Sequence, residues 1–369
     1  MSNSPGSTTR GVRGAALLLA AAAVLGLAAG GAGAVGRSDQ PESPRLPFTQ
    51  RYHAVQHGGI VRTANAAITC RTPEATGATP CAAVQRGGGG VNGDYEMFYV
   101  DEDSDPNTYN SSRARLALPT GAEVSYARLY WGGNLRVGEQ KPPEDNGRVL
   151  IAEPGGRYKE VLADTRMAHR DADGADAFQA SADITPLVRR SRSGLWTVAQ
   201  INVAMGYSDA GAWGGWTLVV AYEDPTEPLR HLTLWDGFQT LNKETPAYEI
   251  ALTGLRIPAG AGGIAGLAGY DGDRGTTGDR ARIRTDTGKT FDLKGAGNPA
   301  DDLMNSTITG PGNPLVRQPA HSNTLGYDSD VFDIGAALVS GVTSLSFRFE
   351  TENLGYSLGV LFVQADTRR

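Results

Sequence analysis

Three blocks of sequence occur twice in this chain, in the same order. "GRVLIAEPGGRYKEVLA" (Gly147–Ala163), which reads as a hairpin turning at Pro154-Gly155-Gly156, is matched by "RARIRTDTGKTFDL" (Arg280–Leu293). "ADITPLVRRSRSGLWTVAQI" (Ala182–Ile201) is echoed by "FDIGAALVSGVTSLSFRFE" (Phe332–Glu350). Each opens on an Asp-Ile pair, followed by a short segment of helical character, a turn and a strand. "WTLVVAYED" (Trp216–Asp224) is echoed by "YSLGVLFVQAD" (Tyr356–Asp366). Repetition at so long a period restricts the chain to two copies of one unit. The repeated runs are short and rich in Val, Ile, Tyr and Trp with partial alternation, which is strand patterning. "YEMFYV" and "VSYARLYWGG" read the same way, and 49 Gly and 20 Pro supply turns along the whole length. The expected fold is all-β, two tandem β-sandwich (jelly-roll-like) units from an internal duplication. Residues 48–226 form the first and 227–367 the second. The join falls near "YEDPTEPLRHL", where Pro225 and Pro228 interrupt pairing.

The first 34 residues read as a secretory signal peptide. A polar start carries Arg10 and Arg13, an uncharged core "AALLLAAAAVLGLAA" follows, and Ala32-Gly33-Ala34 has the small-x-small form of a cleavage site. A membrane anchor is the alternative, so a membrane is a partner only if the segment is retained. Residues 35–47, polar and Pro-rich, read as a linker. The expected location is secreted, extracellular or in the cell envelope. The two cysteines, Cys70 and Cys81, enclose ten residues that include Pro73, Gly77 and Pro80. In an exported protein this count and spacing point to one disulfide.

Of 34 basic residues 29 are Arg, but they are scattered and the net charge is −6. The basic stripe that nucleic acid requires is absent.

"DEDSDPNTYNSSRARLALPTGAEVSYARLYWGG", "GGWTLVVAYEDPTEPLRHLTLWDGF" and "LGYDSDVFDIG" together resemble the extracellular N-terminal region of a broad group of bacterial, actinobacterial-type surface proteins. In longer members that region precedes Ig-like repeat modules. The resemblance covers most of residues 50–365 and implies no established catalytic role.

Two acidic groups are candidate cation sites. Asp101, Asp103 and Asp105 alternate in "DEDSDPNTYN", with Asn107 beyond. Oxygen ligands at alternate positions of a turn suit calcium, although Pro106 and Ser112 stand where an EF-hand loop needs Gly and Glu. A solvated Asx-rich turn is the competing reading. The second group is Asp271, Asp273, Asp328 and Asp330, from two Gly-Tyr-Asp-x-Asp motifs, with Asp333 just beyond the second. It is also a candidate carboxylate pair for glycoside hydrolysis. Tyr130, Trp131, Trp213, Trp216 and Trp235 form a candidate sugar-stacking platform, against the alternative of core packing. The functional expectation is an exported binding, adhesion or envelope-structural module, calcium as its candidate cofactor, with a cell-surface glycan or protein as partner. The alternative is a secreted hydrolase acting on polysaccharide.

Overall fold

A computed structural model describes residues 37–368 apart from Asn313, Pro314 and Leu354. The expected signal peptide lies outside the described residues. In chain order the first half holds β1 (Glu42–Ser43), β2 (Leu46–Ala66), β3 (Ile68–Pro73), α1 (Cys81–Gln85), β4 (Tyr95–Tyr99), β5 (Ser111–Leu116), β6 (Glu123–Asn134), β7 (Arg148–Ala152), β8 (Lys159–Leu162), β9 (Met167–Ala172), β10 (Ala175–Asp183), α2 (Thr185–Ser191), β11 (Gly194–Ala199) and β12 (Gly214–Glu223). The second holds β13 (Leu229–Leu241), β14 (Ala247–Thr253), β15 (Gly263–Tyr270), β16 (Arg280–Thr285), β17 (Thr290–Asp292), β18 (Arg317–Gln318), β19 (Tyr327–Asp333), β20 (Ser344–Glu350) and β21 (Tyr356–Asp366).

The duplication is visible strand by strand. In the first half β10-β6-β12-β2, edged by β9 and β1, form the inner half of a ten-stranded sheet, and β5-β11-β7-β8 an outer sheet that β18 of the second half extends beside β5. In the second half β19-β15-β21-β13 and β14-β20-β16-β17 repeat that order. Each set is an eight-stranded jelly roll. The long β2 joins them: residues 58–66 pair with β12, and most of residues 46–57 pair with β13. Gly58 sits at the handover with φ +135°, where an added Cβ would lie 2.0 Å from the Tyr222 carbonyl oxygen. Only glycine satisfies both demands.

Burial patterning explains why the strands look different in sequence. Outer strands alternate: in β20, Leu345, Phe347 and Phe349 are buried while their neighbours are not. Inner strands β12 and β21 are buried almost continuously. Their two faces serve two cores. Leu129, Trp131, Leu218 and Val220 pack with Trp196 and Val198 of β11 inside the first jelly roll. Leu267, Leu361 and Val363 pack with Phe347 and Phe349 inside the second. The opposite faces meet each other: Ile60, Tyr130, Val219 and Ala221 of the first inner sheet pack on Leu232, Leu234, Val360 and Phe362 of the second. The described residues therefore form four layers: two outer sheets and, between them, the two halves of one ten-stranded sheet that turns at β2 and packs back to back.

Polar groups cross this central seam. Asp236 of β13 accepts from Arg51 at 2.7 and 2.8 Å and from the Tyr130 hydroxyl at 3.0 Å, with Arg128 Nε at 3.6 Å. Thr217 bonds the Tyr327 hydroxyl at 2.7 Å and Ser329 at 3.0 Å. The Gln179 side chain accepts from the Tyr270 hydroxyl and donates to the Gly237 carbonyl.

Cys70 and Cys81 are disulfide-bonded. The bridge closes an insertion between β2 and β5, whose Cys70, Val84, Tyr95 and Met97 complete one end of the first core. Loop closure of this length stabilises by about 3 kcal/mol. The segment read as a linker is partly structured: Glu42–Ser43 pairs with the edge strand β9, and Glu42 meets His169 at 2.6 Å.

Candidate functional site

The two jelly rolls present corresponding loops at the same end, and a cleft of about 550 Å³ opens there. From the first half come Asn92 and Gly93, Asp173 and Gly174, and Asp209 and Ala210; from the second come Asn242 to Glu244, Asp271, Asp273 and Gly355. Asp271 follows β15 directly and has φ +66°, a left-handed conformation that Asp tolerates better than most residues. Its backbone N–H donates to the Gly326 carbonyl at 2.7 Å, and its carboxylate accepts from Asn92 at 3.3 Å. Asn92 is wedged so closely that a Cβ on Gly326 would lie 2.7 Å from its amide nitrogen.

Burial and the neighbouring Asp273 hold the Asp271 carboxyl well above the usual carboxylate range. Asp273 is pushed up to about 7 by burial, then by Asp279, Asp94 and Asp302. One of its oxygens, Oδ1, is buried without a hydrogen-bond partner. A carboxyl poised near neutrality in a cleft both donates and accepts hydrogen bonds, and such groups concentrate at functional sites.

Asp328 and Asp330 lie deeper, on one face of β19 and fully buried. Asp328 accepts from the Thr307 backbone N–H at 3.0 Å, and Asp330 from the Thr309 N–H and hydroxyl, both at 2.7 Å. They take the N–H groups of Thr307 and Thr309, whose carbonyls accept from the Ser329 and Val331 N–H groups at 2.9 and 3.0 Å. Burial raises both; Asp330 raises Asp328 further, whereas Thr309 and Arg62 pull Asp330 part of the way back. Asp333 is not with them: it is exposed at the far end of β19 and caps a turn through the Gly335 N–H at 2.7 Å. Asp279 and Asp302, absent from the candidate group, are joined to each other by a backbone bridge and act on Asp273, and Asp302 on Asp328 as well. Burial pushes Asp279 up to about 6 and also raises Asp302.

The Asp101–Asn107 loop is hydrogen-bonded to itself. Asp101 accepts from Ser111 at 2.8 Å, and Asp103 from the Asp105 N–H at 2.7 Å, from Thr108 at 3.0 Å and from the Tyr158 hydroxyl. Asp105 accepts from the Asn107 backbone and side-chain amides at 3.0 and 2.8 Å. Burial pushes Asp103 up, but these donors outweigh it and leave the carboxyl below its usual range. Among the described residues, no three His, Cys, Asp or Glu side chains form a ready-made metal cage.

The sugar-stacking platform is overturned. Tyr130, Trp131, Trp213 and Trp216 are buried, and Trp235 packs partly buried against the second core. Inner strands covered on both faces leave Tyr130, Trp131 and Trp216 no solvent face. Asn92, Asp209 and Asp302 escaped sequence reading because none belongs to a local motif; only the fold assembles them.

No family model and no curated protein matches the chain. Among solved structures, it is similar to the major capsid protein P2 of bacteriophage PM2, at 14% identity over 72% of this chain and 96% of that one, TM-score 0.20. A structure from Sulfolobus turreted icosahedral virus is 9% identical over 69% and 86%, TM-score 0.22. The CBM22-1–CBM22-2 tandem domain of Paenibacillus barcinonensis Xyn10C is 8% identical over 88% and 100%, TM-score 0.19. Likenesses this slight establish neither ligand nor activity. Among the described residues, no helix is long and apolar enough to cross a membrane.

Proposed function

We propose that the chain is an exported binding module of the cell surface or its surroundings, and that the cleft between its jelly rolls takes a polyhydroxylated ligand, a glycan. One observation carries this: Asp273, which has a buried unpartnered oxygen, lines a cleft built from both jelly rolls. Sugar hydroxyls donate and accept together, and Asp271, Asp273, Asn92 and Asn242 offer both roles. The volume is that of a small-ligand site. Asp173, Asp209, Glu244, Asp271 and Asp273 against Lys243 alone disfavour a polyanion. The disulfide and the N-terminal segment support export.

A glycan array probed with the full chain tests the reading. At least one oligosaccharide class is expected to bind, and Asp273→Ala is expected to weaken it about ten-fold or more, the cost of one charged-group hydrogen bond or slightly more. An empty array, or hits that ignore Asp273→Ala, refutes it.

The near-neutral Asp273 also favours a second reading, a hydrolase with Asp273 as general acid. A general acid works protonated, so activity would fall as pH rises through about 7. Release of reducing ends from a polysaccharide panel decides between the two; none is released by a binding module.

A further inference from the structure

We infer that a calcium ion binds behind the cleft, with Asp302 and Asp328 as its carboxylate ligands. The observation is a set of buried polar atoms with nothing to bond. Asp279 Oδ1, Asp302 Oδ1, Asp328 Oδ2, Asp330 Oδ2 and the Tyr356 hydroxyl all lack a hydrogen-bond partner. Their residues are 2%, 7%, 0%, 0% and 1% exposed. Folded proteins pair such groups almost without exception, and an unpaired one asks for a missing partner. Five in one neighbourhood ask for one in common. The Tyr356 hydroxyl is independent of the acids. It comes from β21, packs in the second core with Leu303, and has Asp279 and Asp328 as charged neighbours.

The missing partner is cationic. Among the described residues none of the four carboxylates makes an ion pair. The nearby guanidinium groups point elsewhere. Arg274 donates to the Gly87 and Ser322 carbonyls, and Arg62 to the Thr309 carbonyl; Arg62 attracts Asp330 and Arg274 attracts Asp302 without a hydrogen bond to either, and Arg62 Nε and Nη1 and Arg274 Nε are themselves unpartnered. Two guanidinium charges beside four buried carboxylates leave a deficit of positive charge this far from water.

The donor set selects the ion. The atoms on offer are oxygens, with no thiolate or imidazole among them, which suits a hard cation. The acids alone do not close a three-ligand cage, so hydroxyl, backbone and water oxygens complete the shell. Calcium accepts six to eight mixed oxygens in irregular geometry, whereas magnesium demands a near-ideal octahedron. Asp302 brings one oxygen that already accepts from the Gly275 N–H at 2.9 Å and one that is free; Asp328 does the same from β19. The ion would tie the segment around Asp302 to the sheet edge at the base of the cleft.

Calorimetric titration of the EDTA-treated full chain with calcium chloride tests this. One ion per chain is expected. Asp302→Asn and Asp328→Asn should each weaken binding at least about ten-fold, magnesium should bind far more weakly, and Asp103→Ala should change nothing. If either Asn variant fails to fold, terbium emission sensitised in the wild type and lowered by Tyr356→Phe, which keeps the ring, serves instead. The inference is overturned by absent calcium uptake, by uptake indifferent to both Asn variants, or by uptake lost in Asp103→Ala, which would place the ion in the Asp101–Asn107 loop. No sugar enters the titration, so its failure leaves the glycan reading of the cleft intact.

Discussion

Asp236→Ala is expected to destabilise the folded chain by about 3–5 kcal/mol, the cost of breaking a buried ion pair on one side. Asp236 sits on β13 and Arg128 and Tyr130 on β6, so the carboxylate spans the central seam between the jelly rolls. Removing it leaves the Tyr130 hydroxyl without its acceptor and takes one of two carboxylates from Arg128, which is 2% exposed. Arg51, on the edge segment of β2, loses both of its hydrogen bonds to Asp236. Asp236→Asn, which keeps an acceptor oxygen, should cost distinctly less. Urea denaturation followed by tryptophan fluorescence measures both. A loss under about 1 kcal/mol for Asp236→Ala, the scale of an exposed pair, would mean that the seam is not closed as described.

The second large effect concerns separability. Residues 227–369 expressed alone are expected not to fold cooperatively, although they contain all eight strands of a jelly roll. Without residues 46–57, β13 loses its neighbour and becomes an open edge. Without the first inner sheet, Leu232, Leu234, Val360 and Phe362 face water. At about 25 cal/mol per Å² of apolar surface, that face outweighs the marginal stability of a domain this small. A thermal scan by circular dichroism should show no sharp transition. A sharp one, with dispersed amide resonances, would show that the jelly rolls are independent.

The architecture was largely legible in the sequence because the duplication repeats its punctuation as well as its strands. "ADITPLV" and "FDIGAAL" both place a short helical turn between the corresponding strands, and both hairpins turn where glycine sits. The back-to-back packing was not legible. An inner strand buried on both faces reads as an unbroken apolar run, as "WTLVVAY" does, and such a run does not say what covers its second face. The Trp and Tyr residues were equally ambiguous, since a strand aromatic looks the same in a core as on a platform. β2 hid for another reason: most of its first half, 46–57, is polar and half-exposed at an edge, and only its pairing with β13 makes it part of a core unit. At the site, Gly-Tyr-Asp-x-Asp flagged Asp271, Asp273, Asp328 and Asp330, yet burial, not spacing, separates the cleft pair from the deep pair. Asp333 lies three residues beyond the second motif and ends at a surface turn.

One cleft is built from loops of both jelly rolls, and its ligand should touch both. Hydrogen–deuterium exchange of the full chain, with and without its best-bound oligosaccharide, tests it most directly. Protection is predicted to appear together around Asn92–Gly93, Asp209–Ala210, Asn242–Glu244 and Asp271–Asp273, four segments far apart in sequence that line one cleft. Protection confined to one jelly roll, or located at the opposite end near Val55 and Pro225, would contradict it.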